Sequence, residues 1–125
     1  IQEAGLFALS QGPEADAAVA APFLRRRQIV MDRIAEHGSL RAVPPEGAMY
    51  VMLDVRGTGL SGDGFAARLL EEERVAVMPG ESFGRAAAGH VRVALTLPDE
   101  AFAQAIDRLV ACAERMAAAP GRGVA

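Results

Sequence analysis

The chain has 125 residues, of which 51% are hydrophobic and 23% charged, and its formal net charge is −3 at pH 7. This length allows one domain, or one small domain and part of another. The composition is that of a soluble globular protein, and a pI of about 5.4 excludes the strongly basic surface typical of nucleic-acid-binding proteins. No apolar run reaches the roughly 18 residues that a membrane span requires, so we predict no membrane contact.

The single cysteine and the absence of lysine further limit the kinds of protein to which this chain could belong. Cys112 is the sole cysteine, which excludes an internal disulfide and predicts a reducing, cytoplasmic location. All 13 basic positions are arginine, so the chain contains no lysine. Histidine, cysteine and carboxylate residues nowhere have the spacing of metal ligands, so we predict no metal site. Because the chain begins at Ile1, inside a segment typical of a helix interior, we expect a piece of a longer protein.

The first elements in chain order are helical. Residues 1–12 form a short apolar segment that ends at the turn signal Ser10–Pro13. The pattern from Glu14 to His37 predicts a long helix, which Pro22 should kink or divide. Its predicted apolar face consists of Val19, Phe23, Val30 and Ile34.

Two strands and a helix follow. Leu40–Val43 is predicted to be a short strand that ends at the turn Pro44–Gly47. Ala48–Val55 is apolar almost throughout, which predicts a strand buried on both faces. Ser61 or Gly62 begins a helix to about Arg74. The residues predicted to face inward from this helix are Phe65, Leu69 and Leu70.

The last third of the chain predicts two more strands and a closing helix. Val75–Met78 forms a short strand, and His90–Thr96 follows after a glycine-rich loop. Thr96 and Asp99 form a predicted capping box for the last helix. The predicted apolar stripe of that helix consists of Phe102, Ile106, Leu109, Val110, Ala113 and Met116.

These elements predict an α+β fold: a long helix followed by β-β-α-β-β-α, with a short sheet of three or four strands and helices packed on one face. We expect a connecting helix over residues 13–37 and a small domain over residues 38–119. Residues 120–125 are expected to be a frayed tail.

Arg92 is the first candidate site residue. In the strand GHVRVALT, alternation places Val91 and Val93 on one face and Arg92 on the other. A guanidinium there is partly desolvated and needs an anionic partner. On the strand alone, the rule that buried charges are paired favours an internal salt bridge. The alternative is that its planar fork binds a substrate carboxylate through two hydrogen bonds.

Two other segments are candidates. The loop after Met78 carries Gly80, Ser82, Phe83 and Gly84, and such loops often border a cleft. Taken alone, the loop favours a plain surface connection. Tyr50, which follows Gly47-Ala48, offers an aromatic face with a polar tip, although a buried core tyrosine is the alternative.

Taken in order, P-x-G-A-x-Y, V-x-V-x-P-G-x-x-F-G and a strand G-x-x-R resemble the C-terminal small domain of class I/II, fold type I aminotransferases, the aspartate aminotransferase family. The stretch VMLDVRGTGLSGDGFAARLLEEERVAVMPGESFG is also similar to arginine–pyruvate transaminase-type members. The resemblance implies that Arg92 binds the α-carboxylate of the amino-acid substrate. It also implies that Tyr50 lies near the substrate and that the Pro79–Gly84 loop borders the active site.

The resemblance further implies pyridoxal 5'-phosphate as cofactor and a lysine that forms a Schiff base with it. Because this chain has no lysine, we predict no catalytic and no cofactor-binding residue in it, and no activity from the chain alone. The missing large domain would hold the cofactor, and residues 1–12 would be its last part. The whole enzyme would be a homodimer that transfers an amino group from an amino acid to a 2-oxo acid.

Two other functions remain open from the residues. One is a free-standing amino-acid-binding or regulatory α+β module, in which Arg92 senses a carboxylate. The other is a structural interaction domain, in which Arg92 forms an internal salt bridge.

Overall fold

The computed structural model describes residues 1–119. Two helices, α1 (Gln2–Ser10) and α2 (Pro13–Ala35), precede strands β1 (Arg41–Val43) and β2 (Tyr50–Asp54). Helix α3 (Gly62–Glu73), strands β3 (Met78–Pro79) and β4 (His90–Ala94), and helix α4 (Asp99–Ala118) follow. This order confirms the predicted α+β class and its β-β-α-β-β-α arrangement. The predicted tail, 120–125, lies outside the described residues.

The four strands form one antiparallel sheet in the order β1-β2-β4-β3. Strand β4 is therefore central, and Arg92 lies at its middle. The register places Arg92 between Met52 of β2 and Met78 of β3. A side chain at this position has neighbouring strands on both sides, so the sheet itself partly shields it from water.

One face of the sheet is buried under helices α2, α3 and α4. Along β4, Val91, Val93 and the following Leu95 all point into this core, as the alternation predicted. The predicted apolar stripe of α4 is buried throughout, together with Cys112. The core residues contributed by the other helices are Val30, Ile34, Phe65, Ala66 and Leu69.

The opposite face of the sheet has no helix packed against it in the part of the chain that the structure describes. For this reason the prediction that β2 is buried on both faces was wrong: Val51 and Leu53 are buried, but Tyr50 is 38% exposed and Met52 partly exposed. Leu70 was also predicted to face inward and is 50% exposed. Each helical residue is turned by about 100° from the one before, and α3 directs Leu69 rather than Leu70 at the sheet.

Several element boundaries differ from the predictions. Only Met78 and Pro79 pair with β4, so β3 is shorter than the predicted Val75–Met78. Helix α2 runs unbroken through Pro22, which therefore does not start a second helix. The capping box is absent because α4 begins at Asp99 with Pro98 as its N-cap. Asp99 instead accepts hydrogen bonds from Arg25 and Arg26 of α2, each at 2.8 Å.

Candidate functional site on the open sheet face

Two aromatic rings lie against the guanidinium of Arg92 on the open face of the sheet. The Cζ atom of Arg92 is 4.1 Å from the centroid of the Tyr50 ring and 4.5 Å from that of the Phe83 ring. Both are cation–π distances, and the guanidinium carbon lies over the face of each ring. The three side chains come from β4, from the start of β2 and from the loop after β3, so the fold brings together the three segments that the sequence singled out.

The internal salt bridge that the isolated strand favoured is absent within residues 1–119. The ion pairs of the described chain involve other arginines and His37, and none includes Arg92. Aromatic rings stabilise a cation without neutralising it. Arg92 therefore presents a charged, planar fork of donors in a partly desolvated setting, which suits a carboxylate ligand.

Tyr50 reaches this position through a constrained backbone. It is the first residue of β2 and pairs with Ala94 of β4. Two residues earlier, Ala48 adopts a φ of 64°, in the left-handed region that disfavours residues with a Cβ. The amide of Leu95 donates a hydrogen bond of 2.8 Å to the Met49 carbonyl and fixes the segment against β4. Tyr50 is 38% exposed, so it is not the core tyrosine of the alternative interpretation.

The loop after β3 contributes Phe83 directly and uses Gly80 to do so. Gly80 is buried, and a Cβ there would come within 3.0 Å of the Ala87 and His90 carbonyl oxygens. Such close approach is open only to glycine. Ser82 and Gly84, which were also predicted to belong to the active-site loop, are exposed.

Glu81 is the residue that sequence reasoning missed. Its Oε1 accepts hydrogen bonds from the backbone amides of Gly62 and Gly89, at 2.9 and 3.0 Å. These bonds, with that from Gly89 foremost, hold the pKa of Glu81 below its ordinary value. An acidic residue in a loop has no periodicity or motif that would predict hydrogen bonds to distant backbone amides. The closely spaced glycines around it were the one available indication.

At the other end of the open face, Asp54 forms an ion pair with Arg56. Asp54 accepts hydrogen bonds from the Arg56 backbone amide at 3.0 Å and from Arg56 Nη2 at 2.6 Å. The Arg56 guanidinium lowers the pKa of Asp54 from 3.8 to about 2. His90, the strand partner of Asp54, places Nδ1 3.0 Å from the Ala88 carbonyl oxygen. Asp54 is therefore already partnered and does not serve Arg92.

Replacing Asp54 with asparagine should lower the free energy of unfolding at pH 7 by about 1–2 kcal/mol. The pKa shift corresponds to a free energy slightly above this range, but Arg56 is exposed and solvent screens its interaction with Asp54. Because the folded-state pKa is depressed, the stabilisation is present above about pH 4 and is lost as the pH falls through about 2. Urea unfolding of wild type and D54N between pH 7 and pH 2 should therefore give curves that converge in acid. A parallel series with the exposed Glu71→Gln should lack this convergence.

A separate apolar groove of about 810 Å³ runs between the first half of α2 and residues 45–50. Val19, Phe23, Leu24 and Met49 line it, together with Tyr50. Arg92 does not line this groove, so the groove and the Arg92 cluster share only Tyr50. Arg27 also lines the groove, but its Nε donates a hydrogen bond of 2.8 Å to the Pro45 carbonyl oxygen. Because carboxylate recognition requires a charged donor that is free, the Arg92 cluster is the candidate site.

Within residues 1–119, no group of three or more His, Cys, Asp or Glu side chains is arranged to hold a metal ion. None of the described helices is both long and apolar enough to cross a membrane.

Comparison with known proteins places this geometry in a family. Residues 2–109 match the family model described as aminotransferase class I and II. Arginine–pyruvate transaminase AruH of Pseudomonas aeruginosa is 43% identical over 117 residues, which are 93% of this chain and 30% of that protein. An aspartate aminotransferase of Pyrococcus horikoshii is 38% identical over 84 residues, 67% of this chain and 22% of that protein.

Solved structures agree with these relatives. Tyrosine aminotransferase from Leishmania infantum superposes with a TM-score of 0.78 and 30% identity, covering 91% of this chain and 29% of that one. An aromatic aminotransferase from Pyrococcus horikoshii gives a TM-score of 0.74 and 34% identity, covering 84% and 28%. The chain spans at most about 30% of the length of these proteins. It belongs to the class I and II aminotransferases, a family of enzymes that depend on pyridoxal phosphate.

Proposed function

We propose that this chain is the C-terminal, substrate-clamping part of a pyridoxal-phosphate-dependent aminotransferase that moves an amino group from an amino acid to a 2-oxo acid. The observation that carries the proposal is the guanidinium of Arg92, which stacks on Tyr50 and Phe83 and has no carboxylate partner within residues 1–119. Family membership supplies the reaction class, and this guanidinium supplies a binding site for the carboxylate.

The two nitrogens at the end of the Arg92 fork bind the two oxygens of the substrate carboxylate. Tyr50 and Phe83 exclude water from part of the guanidinium, which strengthens each charged hydrogen bond. Because the amino donor and the 2-oxo acid acceptor both carry this carboxylate, one site serves both half-reactions. The result is a substrate whose reacting carbon is held in a fixed place.

The residues of this chain do not fit the attachment of the cofactor. Pyridoxal phosphate acts as an electron sink for the amino acid and is attached to such enzymes through a lysine amine. The chain has 13 arginines and no lysine, and a guanidinium does not replace the lysine amine in that Schiff base. We therefore assign the cofactor to another part of the enzyme and expect this chain alone to be inactive.

The first helix supports a position within a larger enzyme. No residue of α1 is buried, and its large apolar side chains Leu6, Phe7 and Leu9 are all strongly exposed. Contiguous exposed apolar surface marks an interaction site. We propose that residues 1–12 belong to the large-domain region, that 13–37 connect it to a small domain over 38–119, and that the enzyme is a cytoplasmic homodimer.

The test is an assay of the full-length enzyme with pyridoxal phosphate, a panel of amino-acid donors and 2-oxo acid acceptors. We expect amino transfer with at least one pair, together with the visible absorbance of the bound cofactor. The isolated 125-residue chain, purified in parallel, should have neither. A full-length enzyme that transfers no amino group would refute the proposal, as would a yellow, active isolated chain.

A further inference from the structure

Glu81 joins three segments of the chain through one carboxylate oxygen. Its Oε1 atom accepts hydrogen bonds from the amides of Gly62 and Gly89. Gly62 is the first residue of α3, and Gly89 directly precedes β4, the strand that carries Arg92. The start and the end of the 80–89 loop are thereby fixed to the same helix terminus.

The Glu81 carboxylate is closely packed against the backbone at the start of α3. A Cβ at position 62 would come within 3.0 Å of both Glu81 Oε2 and the His90 carbonyl oxygen. Only glycine at position 62 leaves space for the carboxylate to reach the helix amide. The contact is therefore a closely packed tether of the loop and not an incidental surface hydrogen bond.

Electrostatics keeps the tether charged. Glu81 lies at the N-terminal end of α3, where the helix dipole favours negative charge. Its two backbone hydrogen bonds also lower its pKa, so the side chain is an anion at neutral pH. Hydrogen bonds from amides to an anion are stronger than those to a neutral acceptor.

The tether restrains the turn that also carries Phe83. Glu81 and Phe83 belong to the same short 3-10 turn, Gly80–Phe83. Phe83 is 48% exposed, so its packing alone holds it weakly, yet its ring lies 4.5 Å from the Cζ atom of Arg92. A turn released from Gly62 and Gly89 would lose this ring from the guanidinium.

We propose that Glu81 is a positioning residue for the substrate carboxylate: it holds Phe83 against Arg92 and so sets the affinity of that arginine for its ligand. This inference rests on the proposed function of Arg92. Glu81 touches neither the substrate nor the cofactor in this scheme and acts only through the loop.

The experiment compares Glu81→Ala, Glu81→Asp and Glu81→Gln in the full-length enzyme, with Glu71→Ala as matched control. Glu71 is an exposed residue of α3. We measure KM for donor and acceptor, kcat, and the calorimetric Kd of succinate, an unreactive carboxylate. E81A should raise KM and Kd about tenfold, equivalent to 1.4 kcal/mol, while kcat changes by less than about threefold.

E81Q keeps an acceptor oxygen with the same reach but loses the charge, so it should fall between wild type and E81A. E71A should stay within about threefold of wild type. E81D keeps the charge but is one methylene too short for both amides, so it should fall between wild type and E81A. If E81A does not fold, E81D decides. Wild-type KM and Kd in E81A or E81D would overturn the inference, as would a loss confined to kcat. If R92K also leaves KM unchanged, the proposed function itself fails.

Discussion

Replacing Arg92 with lysine should raise KM for the amino donor by about 10- to 150-fold in the full-length enzyme. Lysine keeps the positive charge but cannot offer two parallel donors to one carboxylate. Loss of such a charge-assisted contact costs on the order of 1.5–3 kcal/mol, which gives this range. Steady-state kinetics with the donor and the acceptor varied in turn would measure it. KM should rise for both substrates, because both present the same carboxylate to the same fork.

A substrate lacking the carboxylate makes the test specific. Wild type should prefer an amino acid to the corresponding amine, and R92K should lose most of that preference, since the interaction needs both partners. Arg41→Lys is the matched control because Arg41 is exposed on the edge strand β1. Unchanged KM values in R92K, or an equal loss in R41K, would contradict the assignment of Arg92 as the carboxylate-binding residue.

Alternation of apolar and polar residues within a strand predicted which residues of the sheet are buried, but only where that alternation is present. In β4, alternation of valine with polar or small residues correctly placed Val91 and Val93 in the core. In β2, the run AMYVMLDV has no alternation, and it predicted burial on both faces. The actual burial depends on whether a helix covers the second face, and none of the described ones does. Whether a helix covers that face depends on the tertiary arrangement, and the sequence of a single strand carries no information about it.

The surroundings of Arg92 were unpredictable for a similar reason. Its need for an anion followed from the strand, but the choice between an internal carboxylate and a ligand depends on what lies across the sheet. Tyr50 and Phe83 are 42 and 9 residues away in sequence, and the register of β2 with β4 and the loop after β3 bring them within 5 Å. The family resemblance rests on the same three segments.

Glu81 and Asp99 illustrate a further limit. Each is an acidic residue near a helix start, and for Asp99 the local pattern suggested a capping box with Thr96. In the structure Ser61 caps α3, and the Gly62 amide of that helix donates a hydrogen bond to Glu81. Asp99 instead accepts hydrogen bonds from two arginines of α2. The donors that an acidic side chain reaches are here contributed by distant parts of the chain, Gly62 for Glu81 and the arginines of α2 for Asp99.

Replacing Gly80 with alanine should destabilise the protein by about 2–3 kcal/mol, the upper part of the usual range for overpacking. The added Cβ would come within 3.0 Å of two backbone oxygens, those of Ala87 and His90. Backbone cannot rotate away as a side chain can, so the 80–89 loop must shift as a whole. Urea denaturation measures the stability, with the unfolding midpoint and its slope fitted together.

Gly38→Ala is the control that separates this clash from the general effect of adding a methyl group. Nothing lies within 4 Å of a Cβ at position 38, and its φ is not in the left-handed region, so G38A should change stability by less than about 1 kcal/mol. Because the displaced loop carries Phe83 away from Arg92, G80A should also weaken carboxylate binding, and G38A should not. Equal stabilities for the two variants would mean that the loop is loosely packed, and Gly80 would then have no part in placing Phe83 at the guanidinium.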